Sequence, residues 1–116
     1  MPSDPTDAAL RDIAHHIALA RQFVDGSDAA TFSEDLMAVY AVTRCLEIIS
    51  KASRRLPQAL KDRHPAIRWR QIAAAGNVYR HEYEDVASSF VWATVKNDLQ
   101  PLADVVTAEL KIPHPD

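Results

Sequence analysis

Residues 76–83 bring together the groups of this chain best suited to acid–base and phosphate chemistry: Gly76-Asn77-Val78-Tyr79-Arg80-His81-Glu82-Tyr83. An imidazole with its ordinary pKa of about 6.5 takes up and returns a proton near neutral pH, which makes His81 the candidate general base. Asn77 precedes it by four residues, so on a helix the two share a face. Arg70 lies two turns earlier and can fall on the same side, whereas Arg80 adjoins His81 but points about 100° around the axis. The run ends in a turn, and a helix C-terminus favours the protonated imidazole. Tyr83 follows just past that turn, placed either to orient a phosphate or to pack against the helix end.

Other candidates carry weaker signals. Arg44 and Glu47 stand three residues apart in an otherwise apolar helix, the spacing of a side-chain pair. The simpler expectation is a buried pair fixing a helix contact; the functional one has Glu47 orienting a group of the active site. His15 and His16 are adjacent, so they should diverge and make a poor metal pair, and no metal site is expected. The lone Cys45 reads as a small core residue, with no disulfide partner and no metal-type spacing. Trp69 and Trp92 read as core or interface residues rather than base-stacking platforms.

The elements that must hold these groups follow from composition and spacing. At 116 residues the chain forms one domain, long enough to bury a core without staples. It has two glycines, Gly26 and Gly76, fewer than the tight turns of a strand-rich fold demand, so an all-α domain is expected. Pro5 after Asp4 suits a helix start, with Leu10, Ile13, Ile17, Ala20 and Val24 on one face and Gly26 closing it. Thr31-Phe32-Ser33-Glu34 has capping-box form with Thr31 as N-cap, opening a helix to about Leu56 before Pro57. From Leu36 to Ile49 that helix is apolar almost all round, so its second buried side is expected to face a partner subunit in a homodimer. A short helix over 58–63 precedes the His64-Pro65 break. The next helix runs from about Arg68 to Arg80 with Ile72, Ala75 and Tyr79 inward. The last runs from an N-cap at Ser88 to about Leu110, with Val91, Val95, Leu99, Leu102 and Val106 on its face and Pro101 expected to kink or split it. Residues 113–116 read as a frayed tail.

Charge divides the chain into thirds. Residues 1–43 and 81–116 each carry a balance of −5, and residues 44–80 carry +7, within a net charge of −3. A basic block between acidic arms suits phosphates or an acidic partner; equally, its bases can pair with the acidic arms in the fold. Residues 1–25 lack the form of a signal peptide, and no apolar run nears the roughly 20 residues that span a bilayer. A cytoplasmic protein without membrane contact is expected.

Several of these runs together resemble a known family. Phe32-Ser33-Glu34-Asp35, then Ala41-Val42-Thr43-Arg44-Cys45-Leu46-Glu47-Ile48-Ile49, then Ile67-Arg68-Trp69-Arg70-Gln71-Ile72, then Asn77 with His81-Glu82-Tyr83 are similar to the HepT-like family of HEPN domains. Phe90-Val91-Trp92 and Asn97-Asp98-Leu99 fit as well, so the likeness spans about residues 10–107 in order. It implies a dimeric antiparallel bundle of about four to five helices. It also implies the toxin half of a toxin–antitoxin pair, neutralised by a small nucleotidyltransferase of the MNT type. Active members cleave RNA without metal or cofactor, using an Arg, four to six intervening residues and a His. The His is His81 here, and the resemblance makes Tyr83 the target of AMP transfer by the antitoxin.

The Arg of that pattern is absent. Its three allowed positions hold Ala74, Ala75 and Gly76. The missing group is a guanidinium that grips the scissile phosphate, and losing such a donor costs on the order of a hundredfold to a thousandfold in rate. Arg80 is the nearest stand-in in sequence, and Asn77 completes the expected phosphate contacts. Gly76 inside a helix costs roughly 1 kcal/mol against alanine, which points to a close helix approach there. The sequence therefore supports an endoribonuclease toxin, and beside it a non-cleaving HEPN dimer that serves as binding partner of a nucleotidyltransferase.

Overall fold

Apolar residues recurring every three to four positions can only be buried together on one side of a helix. In the computed structural model Leu10, Ile13, Ile17, Ala20 and Val24 are all buried along α1 (Pro5–Val24). The structure describes residues 5–81 and 88–113, and the side chains of all of these except 77–81. Six further helices follow among the described residues: α2 (Ala29–Glu34), α3 (Leu36–Ser53), α4 (Gln58–Asp62), α5 (Trp69–His81), α6 (Ser88–Ala93) and α7 (Leu99–Leu110). A π-helical turn over Thr94–Asp98 joins the last two. The described residues contain no strand, and the molecule is all-α, as its scarcity of glycine implies.

Helix α3 is the central rod, packed against α1 on one side and α5 on the other, while α1 also contacts α7. Val42, Leu46 and Ile49 of α3 join the α1 stripe, Val91 of α6, Val95 of the π turn and Leu99, Leu102 and Val106 of α7 in one core. Each such side chain contributes about 1.5–3 kcal/mol relative to exposure. Phe32 of α2 is fully buried and meets the Trp92 ring at 5.5 Å between centroids. Cys45 lies in the same core, where burial pushes its thiol pKa up and leaves it a packing residue.

Four local expectations need correction. The cap of α2 is Asp28 rather than Thr31: the Asp28 carboxylate accepts from the Thr31 amide at 2.8 Å, and the Thr31 hydroxyl accepts from the Asp28 amide at 3.0 Å. Thr31 is thus the far side of the box, three residues in. The helix expected from there to Leu56 is two helices, because Asp35 accepts from the Ala38 amide at 3.1 Å and leaves helical geometry at φ −94° and ψ 89°. A short carboxylate that competes for backbone amides opens a helix within an apolar run. Its second part ends at Ser53. The rings of His15 and His16 do not diverge but meet edge to face, centroids 5.0 Å apart, with His16 Nδ1 donating to the Asp12 carbonyl at 2.7 Å. Finally, Pro101 sits inside α7, and the irregularity lies upstream in the π turn. Proline lacks the N–H for the carbonyl four residues back and crowds it; that residue, Asn97, lies in the widened turn.

The boundaries otherwise follow the sequence. Gly26 has φ +79°, the left-handed geometry that closes α1. No described helix is long and apolar enough to cross a membrane. The Asp4 cap, the inward face of Tyr79 and the tail from His114 lie outside the described residues.

Candidate active site

The site is built on α5, and α5 is set in place at its start and near its middle by polar contacts that spacing alone does not reveal. At its start, Trp69 Nε1 donates to the carbonyls of Lys61 (3.2 Å) and His64 (3.1 Å), fastening the turn after α4. The same turn is tied to the last helix by Glu109, which is 1% exposed: Arg63 Nη2 donates to it at 2.8 Å and His64 Nε2 at 2.6 Å. The bond from Glu109 holds the Arg63 guanidinium even further above its ordinary pKa. Sequence reading treated His64 only as a helix breaker; a lone Glu in an apolar stripe was the available signal.

Further along, α5 crosses α3 at Gly76. A β-carbon there would stand 2.7 Å from Ser50 Oγ and 3.2 Å from Ser50 Cβ, so only glycine permits the approach. The close helix contact expected from a mid-helix glycine is therefore present. Ser50 Oγ accepts from the Gly76 amide at 2.9 Å and donates to the Ala73 carbonyl at 3.0 Å, stitching α3 to α5. Arg54, one turn beyond Ser50, donates to the same carbonyl through Nε at 3.1 Å and Nη2 at 2.7 Å. Ser50 and Arg54 were missed because their contacts lie 19 to 26 residues away in sequence.

From that crossing the helix continues through Asn77 and ends at His81. Positions 73, 77 and 81 are one turn apart and drift only about 40° per step, so the Ala73 carbonyl region, Asn77 and His81 share a side. His81 is the last described residue of α5, and residues 82–87 lie outside the described residues. The side chains of Asn77, Arg80 and His81, and the whole of Tyr83, lie outside the described residues. Arg70 is in the first turn of α5, exposed, beside a groove of about 570 Å³ that Lys61 and Arg68 also line. Its eleven-residue separation from His81 corresponds to about 16 Å of helix. The α5 face toward the last helix borders a second cleft of about 600 Å³, floored by Leu46 and Ile49 and edged by Arg68, Asn97 and Asp98.

Arg44 and Glu47 do form an ion pair, but not a buried one: their side chains are 68% and 20% exposed. Arg44 emerges from α3 into water, so the pair is a surface contact of small energetic weight. The basic block is partly neutralised by the acidic arms, through Arg55 to Asp12 at 2.6 Å and Arg63 to Glu109. Arg68 and Arg70 form no ion pair among the described residues.

The all-α bundle of the described residues is consistent with a HEPN-type domain. Residues 13–109 match the family profile described as ribonuclease HepT-like, and the chain belongs to that family. It is 38% identical over 93 residues to a protein provisionally named ribonuclease HepT from Thermococcus cleftensis, covering 80% of this chain and 84% of that protein. A provisionally named RNase from Methanocaldococcus jannaschii is 29% identical over 99 residues, 85% of each chain. Another from Caldanaerobacter subterraneus is 30% identical over 79 residues, 68% of this chain and 70% of that one. No solved structure matches the chain.

Proposed function

We propose that this protein is a metal-independent endoribonuclease of the toxin type, neutralised by an MNT-type nucleotidyltransferase antitoxin. The observation that carries the reading is membership of a ribonuclease family over 13–109, with Asn77 and His81 on successive turns at the end of α5. His81 takes the proton of a ribose 2′-hydroxyl, whose oxygen attacks the adjacent phosphorus. The bond to the 5′-oxygen breaks, and that oxygen is protonated from solvent. The products are a 2′,3′-cyclic phosphate and a 5′-hydroxyl. The nucleophile belongs to the substrate, so the scheme calls for no metal-bound water. Asn77 and Arg80 hold the phosphate, and the exposed Arg68 and Arg70 gather the RNA strand by charge.

The working form is a homodimer with two sites facing each other. Leu36, Met37 and Tyr40 support it: they cluster on the first turns of α3 and are 65%, 82% and 51% exposed. Apolar side chains grouped in this way mark a protein contact. Tyr83, two residues beyond His81, is the acceptor of AMP from the antitoxin, and a bulky anionic group there would block an incoming phosphate. His81→Ala is expected to abolish RNA cleavage and toxicity with the fold intact; unchanged cleavage would sink the assignment. The want of an Arg at 74–76 favours one competing reading, a dimer that binds the nucleotidyltransferase without cleaving RNA. Protein that forms that complex yet never cuts RNA would decide for it.

A further inference from the structure

We propose that Arg54, on α3, supplies a further guanidinium to the scissile phosphate, beside Asn77 and Arg80; the inference rests on the ribonuclease reading above. Cleavage by a 2′-hydroxyl develops negative charge on the phosphate, and a cation must stand beside it. The bases of the central block have different fates. Arg44, Arg55 and Arg63 are engaged by Glu47, Asp12 and Glu109. Arg70 is at the far end of α5. Arg54 alone of these is laid against α5 within a turn of Asn77.

Its geometry suits the task. Nε and Nη2 both donate to the Ala73 carbonyl, which fixes the plane of the guanidinium. The Nη1 side of the fork makes no hydrogen bond or ion pair among the described residues, and the side chain is exposed. An arginine presents five N–H donors, so one edge can be tied to the protein while the other receives two phosphate oxygens. A β-carbon at position 76 would stand 3.5 Å from Arg54 Nη2. The guanidinium thus lies beside the site where a side chain of residue 76 would begin, and the glycine leaves that space open to it. From Gly76 to His81 the helix advances about 7.5 Å. One phosphate and its neighbouring ribose can bridge such a gap, with the phosphate at Arg54 and the 2′-hydroxyl toward His81. Arg54 and Gly76 then belong together: an Arg introduced at 76 would collide with Ser50 and compete with Arg54.

The alternative is that Arg54 only clamps α5 through the Ala73 carbonyl. Gln separates the two roles, because its amide can still donate to that carbonyl but carries no charge. The test compares wild type, Arg54→Gln, Arg54→Lys and His81→Ala for single-turnover cleavage of a fluorescent RNA, with thermal melting of each. It also measures binding of the same oligonucleotide with 2′-deoxyribose at the cleavage position. Arg54→Gln is expected to lose a hundredfold to a thousandfold in the cleavage step while melting like wild type, and Arg54→Lys to recover part of that loss. Binding of the deoxy analogue should weaken and its salt dependence fall by about one phosphate contact. Arg54→Gln cleaving at the wild-type rate beside an inactive His81→Ala overturns the role of Arg54 and leaves the ribonuclease reading standing. Slow cleavage by Arg54→Gln with equal slowing in a destabilised Arg54→Lys, and unaltered binding and salt dependence, also overturns it in favour of the clamp. A wild-type protein that does not cleave at all overturns both.

Discussion

Around Gly76 a single missing side chain organises several bonds. Its amide is bonded to Ser50 Oγ, which in turn holds the Ala73 carbonyl that Arg54 also grips. Gly76→Ala gains about 1 kcal/mol of helix propensity, but a β-carbon 2.7 Å from Ser50 Oγ forces that hydroxyl out of both its bonds. Overpacking of this kind costs about 1–3 kcal/mol and each lost hydrogen bond about 1 kcal/mol. Gly76→Ala is therefore expected to lose about 2–4 kcal/mol net in urea denaturation. In the background of Ser50→Ala the same change should cost clearly less, because the two residues share one contact. Equal costs in both backgrounds would mean that the crossing is not what restricts position 76. A mid-helix glycine could be read from the sequence as a sign of close approach. The identity of the opposing Ser50 and Arg54 could not, since it depends on the angle at which two helices cross.

Among the elements, those with one clean apolar face were legible to within a residue or two. Helix α1 and the last helix record their buried side in spacing, and Pro101 announced a distortion without fixing the turn in which it would appear. The α2–α3 break was hidden because both parts bury apolar residues and only the Asp35 carboxylate separates them. Asp28 makes a testable case. Bonds from the backbone and hydroxyl of Thr31 hold its carboxyl below the ordinary value of 3.8. A depressed folded-state pKa adds stability that is present above that value and is lost as pH falls through the folded one. Asp28→Ala should accordingly lower the melting temperature at pH 7, with the gap to wild type narrowing as pH drops below about 3.8. A gap that stays constant down to pH 2 would show that the ionised cap is not its source.

For the whole molecule, the alternation of charge along the chain resolves into two parts. Some central bases return to the acidic arms, as Arg55 does to Asp12 and Arg63 to Glu109, and others stay open at the start of α5, as Arg68 just before it and Arg70 in its first turn do. The sequence located the block but not that division, because the pairing joins residues more than forty positions apart. The exposed end of α3 bears on assembly. Met37, the most exposed of its apolar residues at 82%, can accept a charge without touching the monomer core. Met37→Glu is expected to turn the proposed dimer into a monomer by light scattering after gel filtration, with cleavage falling alongside. A variant that remains dimeric would place the interface elsewhere.

The central claim is that α5 ends in a base that cuts RNA through the substrate's own 2′-hydroxyl. The most direct measurement is the chemistry of the cut ends, obtained from purified wild type and His81→Ala in the presence of a chelator. The account predicts 2′,3′-cyclic phosphate and 5′-hydroxyl ends from the wild type and intact RNA with His81→Ala. Cleavage that needs a divalent cation, leaves 3′-hydroxyl ends or persists in His81→Ala would contradict it.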